Sequence, residues 1–120
     1  TTDDVIYRTY RGNVGAVPLD QRILTFNLPI KPGFHSVNLR LHFAERCSCD
    51  TTVGKRVFNI TAEGQPVASN FDIVQAAGAA NTAYVLSLNN VAVSDGTLNL
   101  VFSAVVDYPA INGIEVYGVP

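Results

Sequence analysis

The chain has 120 residues, 48% hydrophobic and 15% charged, with a formal net charge of −2 at pH 7. That length suits one domain with a core of its own, and the composition is too apolar and too weakly charged for a disordered chain. The slight acidity argues against a generic nucleic-acid binder, and no apolar run approaches the ~18 residues of a membrane-spanning helix, so membrane insertion is not expected.

β-branched residues set the class. There are 16 Val, 7 Ile and 9 Thr, against 3 Glu, 2 Lys and no Met. That balance favours sheet over helix. Without a Met the chain reads as a processed product or a piece of something longer, and no leader or transit pattern is recognisable in it. One domain is expected over residues 1–120.

Gly and Pro recur at short intervals, with short apolar runs between them, as in an all-β sandwich or barrel. Residues 23–28 read as a strand ended by Pro29, and Pro32-Gly33 turns the chain. Residues 37–43 form the clearest strand. Val37, Leu39, Leu41 and Phe43 alternate there with Asn38, Arg40 and His42, giving one buried and one wet face. In 57–62, Phe58, Ile60 and Ala62 face inward and Asn59 and Thr61 outward. After a turn at 63–66, residues 67–73 read as a short strand carrying Phe71. Residues 76–83 have a helix-like composition, but Gly78 interrupts them, so a loop with a turn of helix is expected. Residues 84–88 and 91–93 read as one strand broken at Asn89-Asn90. Ser94-Asp95-Gly96 is the strongest hairpin signal and leads into a strand over 97–102. The last strand is expected over 111–117.

Enzyme signatures are scarce. There is no Gly-x-Ser-x-Gly elbow, and no Gly-rich phosphate loop leads into a helix. None of the ten acids sits in a context that marks it as having a raised pKa. Asp95 reads as a turn residue. His35 and His42 are too few for a His-rich metal site, and His42 on a wet strand face reads as simply solvated. No cofactor is implied. Loop carboxylates and carbonyls suit calcium, yet no spacing motif asks for it.

Cys47 and Cys49 form a Cys-x-Cys pair, neither a zinc knuckle nor a Cys-x-x-Cys redox motif. A bond between residues i and i+2 of a strand closes a very small, strained ring, so three readings stand beside one another: reduced thiols at a strand end, a redox-labile or ligand-facing pair that includes the strained disulfide, and bridges to another chain or a missing segment. Asn59-Ile60-Thr61 is an N-glycosylation sequon on a predicted outer face.

A sugar ring has an apolar C–H face and polar edges, so its receptor needs an aromatic plate beside donors and acceptors. Tyr10-Arg11 and Asp107-Tyr108 offer that combination near loops.

Several segments, taken in order, resemble the malectin-like domains, a family of carbohydrate-binding β-sandwiches. They are Val5-Ile6-Tyr7-Arg8-Thr9-Tyr10-Arg11, Leu39-Arg40-Leu41-His42-Phe43-Ala44-Glu45, Gly54-Lys55-Arg56-Val57-Phe58-Asn59-Ile60, Phe71-Asp72-Ile73, Ala77-Gly78, Asp95-Gly96-Thr97-Leu98 and Pro109-Ala110-Ile111-Asn112-Gly113-Ile114-Glu115-Val116. The resemblance implies a jelly-roll-like antiparallel β-sandwich whose loops at one end grip an oligosaccharide or polysaccharide. It also implies an extracellular or secretory-pathway setting beside neighbouring domains. Asp107 matches the aspartate of the family's founding lectin. Where that lectin has paired aromatics after Phe43-Ala44-Glu45, this chain has Arg46, Cys47 and Ser48, and Gly12 follows Arg11 where another aromatic is expected. The reading is therefore a non-catalytic carbohydrate-binding module using Tyr10, Arg11, Asp107 and Tyr108. The alternative is a structural or adhesion module that binds no sugar.

Overall fold

The computed structural model describes Asp4–Tyr7, Arg11–Gly12 and residues 18–119, with side chains only within the last range. Ten strands occur among these residues: β1 Asp4–Tyr7, β2 Arg11–Gly12, β3 Ile23–Pro29, β4 Ser36–Phe43, β5 Val57–Ala62, β6 Gln65–Phe71, β7 Tyr84–Ala92, β8 Thr97–Val106, β9 Ala110–Ile111 and β10 Gly113–Gly118. A 3-10 turn, Leu19–Gln21, precedes β3, and a short helix, α1 Ile73–Ala77, lies between β6 and β7. The strands form two four-stranded antiparallel sheets, ordered β1-β10-β4-β7 and β3-β8-β5-β6, with a two-stranded β2-β9 ribbon. The expected all-β sandwich is what the chain adopts.

Strict alternation drives the sandwich. β4 and β5 alternate half-buried and fully buried residues, so each sheet presents one apolar face. Val37, Leu39, Leu41 and Phe43 of one sheet meet Phe58, Ile60, Leu98, Leu100 and Phe102 of the other in one core. Phe43, Phe58 and Phe71 pack ring against ring, with centroids 4.8–6.0 Å apart, and Tyr84 continues the cluster towards one rim.

Consecutive strands mostly change sheets, and here one expectation fails. Ser94-Asp95-Gly96 does turn the chain, with Asp95 Oδ1 accepting from Thr97 N at 3.1 Å. Yet β7 pairs with β4 while β8 pairs with β3 and β5, so the turn is a crossover between layers. Turn chemistry fixes the reversal and says nothing about which strands then bond. The tight hairpin lies at Glu63-Gly64, both at positive φ (53° and 78°), between the paired residues Ala62 and Gln65, as a two-residue primed turn requires. Glu63 stays there because its backbone N–H donates to Asn99 O while its carboxylate accepts from Asn99 N at 2.7 Å.

Boundaries also differ: β6 begins already at Gln65 and β8 runs on to Val106. Ile73, expected in a strand, opens α1. Asp72 caps that helix through Oδ1 on Gln75 N, and Gly78 ends it at φ 90°. β7 runs unbroken through Asn89-Asn90, where Asn90 at φ 57° and a register shift against β4 absorb the irregularity. The final strand is split at Asn112 into β9 and β10. Among the described residues no helix is long and apolar enough to cross a membrane.

Candidate functional site

The segments after β4, before β5, after β6 and after β8 meet at one rim of the sandwich. Asn81 N donates to Glu45 O at 2.8 Å, and Gly54 N donates to Asp72 Oδ2 at 2.6 Å. Asn112 Oδ1 holds Ala44 N at 2.9 Å. Ala104 N donates to Arg22 O, bringing the approach to β3 beside β8.

Under this rim lies a buried ionic cluster. Arg56, 7% exposed, donates from Nε to Glu45 Oε1 at 2.6 Å, from Nη2 to Glu45 Oε2 at 3.3 Å and from Nη1 to Tyr108 O at 2.6 Å. Glu45 is 2% exposed and Asp50 is 4% exposed. Burial of such groups requires charge-assisted partners, and the fork of Arg56 supplies them to Glu45 in bidentate form. Asp50 Oδ2 lies 3.0 Å from Arg56 Nη2, off the line of a hydrogen bond, and has no donor of its own. Asp50 also faces the Asp107 carboxyl, close enough for a hydrogen bond when one of the two is protonated. Burial, then this bond, pushes the Asp50 carboxyl up to about 7 against the pull of Arg56, with the charges of Asp107 and Glu45 adding to the rise.

Asp107 itself is half-buried, at φ 61°, a left-handed conformation that Asp and Asn adopt more readily than other non-glycine residues. Its carbonyl accepts from Arg22 Nη1 at 3.4 Å, and the same guanidinium stands 4.4 Å over the Tyr108 ring. Asp107 and Tyr108 thus meet at the rim beside a cation. The pairing of Arg11 with Ile111 and of Gly12 with Ala110 lays the Arg11 backbone along the strand leaving Tyr108. Tyr10 and the Arg11 side chain lie outside the described residues.

The cysteines are not the reduced thiols of the first reading: they form a disulfide, Cys47–Cys49, across the short span that strand geometry argued against. Both sulfurs are spent on each other, which removes them as thiolate ligands although they lie close to Asp50. The bridge is in the turn that delivers Asp50: Asp50 N donates to Cys47 O at 3.2 Å, and Cys47 N donates to Glu45 Oε2 at 3.2 Å. His42, read as solvated, is instead hydrogen-bonded through Nε2 to Glu115, which also accepts from the Tyr117 hydroxyl. The β4–β10 register makes His42 and Glu115 diagonal neighbours on one face, a relation no local pattern reveals.

Sequence reasoning missed Arg22, Asp50 and the central role of Arg56. Glu45 and Arg56 stood in segments carrying the family resemblance. Asp50 carried no signal, because polar neighbours surround it and only the inward turn of its loop buries it. A concavity of about 30 Å³ at the opposite rim is lined by Pro29, Ile30, Phe34, Val37, Val116 and others; it has room for a water or two and none for a sugar ring.

Residues 1–114 match the Malectin domain family. Receptor-like protein 4 of Arabidopsis thaliana is 35% identical over 99 residues, which is 82% of this chain; the chain spans only 16% of that relative's length. Among solved structures, a complex of the plant peptide RALF23 with FER and LLG2 superposes with TM-score 0.74 at 23% identity, over 82% of this chain and 28% of that one. The ANXUR1 extracellular domain from Arabidopsis thaliana gives TM-score 0.70 at 20% identity, over 84% and 28% respectively. Those two likenesses concern the fold alone; the match across residues 1–114 is what shows that the chain belongs to the malectin domain family.

Proposed function

We propose that the chain is a non-catalytic, extracellular carbohydrate-binding module of a larger receptor-like protein, and that the glycan sits at the Asp107–Tyr108 rim. The observation that carries this reading is the grouping of a half-buried carboxyl, an aromatic ring and a guanidinium at one exposed corner. Asp107 accepts sugar hydroxyls. Tyr108 with Arg22 over its ring makes an amphipathic wall for the C–H face, and the Arg11 backbone, paired with Ile111, runs beside it. Membership of the family and the likeness to receptor ectodomains support the extracellular setting. No cofactor enters, since Arg56 supplies the positive charge facing Glu45 and Asp50.

One charged hydrogen-bonding anchor is worth about 1.5–3 kcal/mol, so binding in the micromolar to millimolar range is expected. The test is a glycan array followed by titration calorimetry. Asp107→Ala is expected to weaken retention by about tenfold or more while the protein stays folded by circular dichroism. If the wild-type chain retains no glycan, the binding reading fails, and a structural or adhesion role for the same fold takes its place.

A further inference from the structure

Asn59-Ile60-Thr61 is the chain's one Asn-x-Ser/Thr sequon, and the fold gives it a particular setting. Asn59 lies in the middle of β5, half-buried and outward-facing between the fully buried Phe58 and Ile60. Its Oδ1 accepts from Asn70 N at 2.8 Å. Asn70 sits at φ 52° where the β5–β6 register shifts, so the ladder does not serve that N–H. The carbonyl end of the amide is therefore committed and the nitrogen end points the other way.

Exposed aliphatic side chains lie on the same face. Ser103 of β8 pairs with Asn59 on one side and with Ile23 of β3 on the other, and Val106 pairs with Val57, two residues from Asn59. Directly paired residues share a face, as do residues two apart on one strand. Ile23, Val105 and Val106 are exposed by 43%, 37% and 42%. Two strand spacings, about 10 Å, separate Ile23 from Asn59, within reach of a disaccharide.

We infer that Asn59 carries an N-linked glycan whose first N-acetylglucosamine units lie over Ile23, Val105 and Val106. The inference rests on the extracellular reading above, because the donor, a lipid-pyrophosphate-linked oligosaccharide, is met in a eukaryotic secretory pathway. The Asn59 Nδ2 forms a bond to the anomeric carbon, the bond from that carbon to the pyrophosphate oxygen breaks, and Nδ2 gives up one proton as the lipid pyrophosphate leaves. No electrons change hands. Oδ1 is untouched, so its bond to Asn70 N survives the modification. The apolar face of the sugar then packs on the exposed part of these side chains.

The test is to secrete the chain from a eukaryotic host and map Asn59 by peptide mass spectrometry. Glycan is expected on the wild type and absent from Asn59→Gln and from Thr61→Ala, the latter keeping the Asn70 contact. Binding of an anilinonaphthalenesulfonate dye is expected to rise when the glycan is removed completely, to stay low when one N-acetylglucosamine is left, and to stay low after removal in Ile23→Thr/Val105→Thr. Secretion with Asn59 unmodified overturns the inference and leaves the extracellular reading standing. A chain barred from the secretory pathway sinks both. A glycan whose removal leaves dye binding unchanged overturns the covering of the patch.

Discussion

Asp50 is where residue-level physics makes the sharpest demand. Its carboxyl moves from 3.8 to about 7 on folding, through burial first and the Asp107 bond second. The folded protein therefore holds a proton that the unfolded chain gives up. The stability drawn from this group is complete below the unfolded value and is lost as pH rises through about 7. Asp50→Asn keeps the shape and removes the titration. In melts from pH 5 to 8, the wild type is expected to lose stability relative to the variant, with the gap widening towards pH 8; parallel curves contradict the assignment. Arg56 makes the complementary demand. Arg56→Met strands Glu45 in the interior, and breaking a buried pair in this way costs about 3–5 kcal/mol. The double substitution Glu45→Met/Arg56→Met is expected to cost less than the single Arg56→Met in urea titrations, because it leaves no orphaned Glu45 carboxylate.

At the scale of elements, the rim is tied together by side chains that cap and bridge. Asp72 caps α1 through one oxygen and holds Gly54 N through the other. Asp72→Ala is expected to cost about 1–3 kcal/mol, more than a helix cap alone because both backbone donors lose their acceptor. Amide exchange is expected to quicken at Gly54 and Gln75 together; quickening at Gln75 alone shows that the Gly54 tie contributes nothing. Strands were legible wherever alternation is strict, as in β4 and β5, because a period of two is written directly in Val37-Leu39-Leu41-Phe43 and Phe58-Ile60-Ala62. The location of the hairpin was not legible. Asp95-Gly96 has the stronger turn composition, while Glu63-Gly64 takes the hairpin because Asn99 of β8 bonds both the backbone and the side chain of Glu63. Ile73 reads as a strand residue by β-branching, and only the cap at Asp72 with the left-handed Gly78 turns it into a helix start.

In the whole molecule, the strands that swap between sheets bring loops distant in sequence to one end: Arg22, Glu45, Asp50, Arg56 and Asp107 span most of the described chain. Asp107 and Tyr108 were singled out from chemistry and resemblance, and the fold sets them beside Arg22 at this end. The cluster beneath them was not, since it exists only through long-range closure of the sandwich. The central claim is that this end, and not the opposite rim around Pro29 and Phe34, receives the ligand. The most direct measurement is an amide chemical-shift titration of the protein with a saccharide identified on an array. Shifts are expected to concentrate at Arg22, Asp107, Tyr108 and the 44–56 loop, with residues 29–34 and Gly118 unmoved. Shifts centred on the opposite rim, or on the outer face of either sheet, contradict the account.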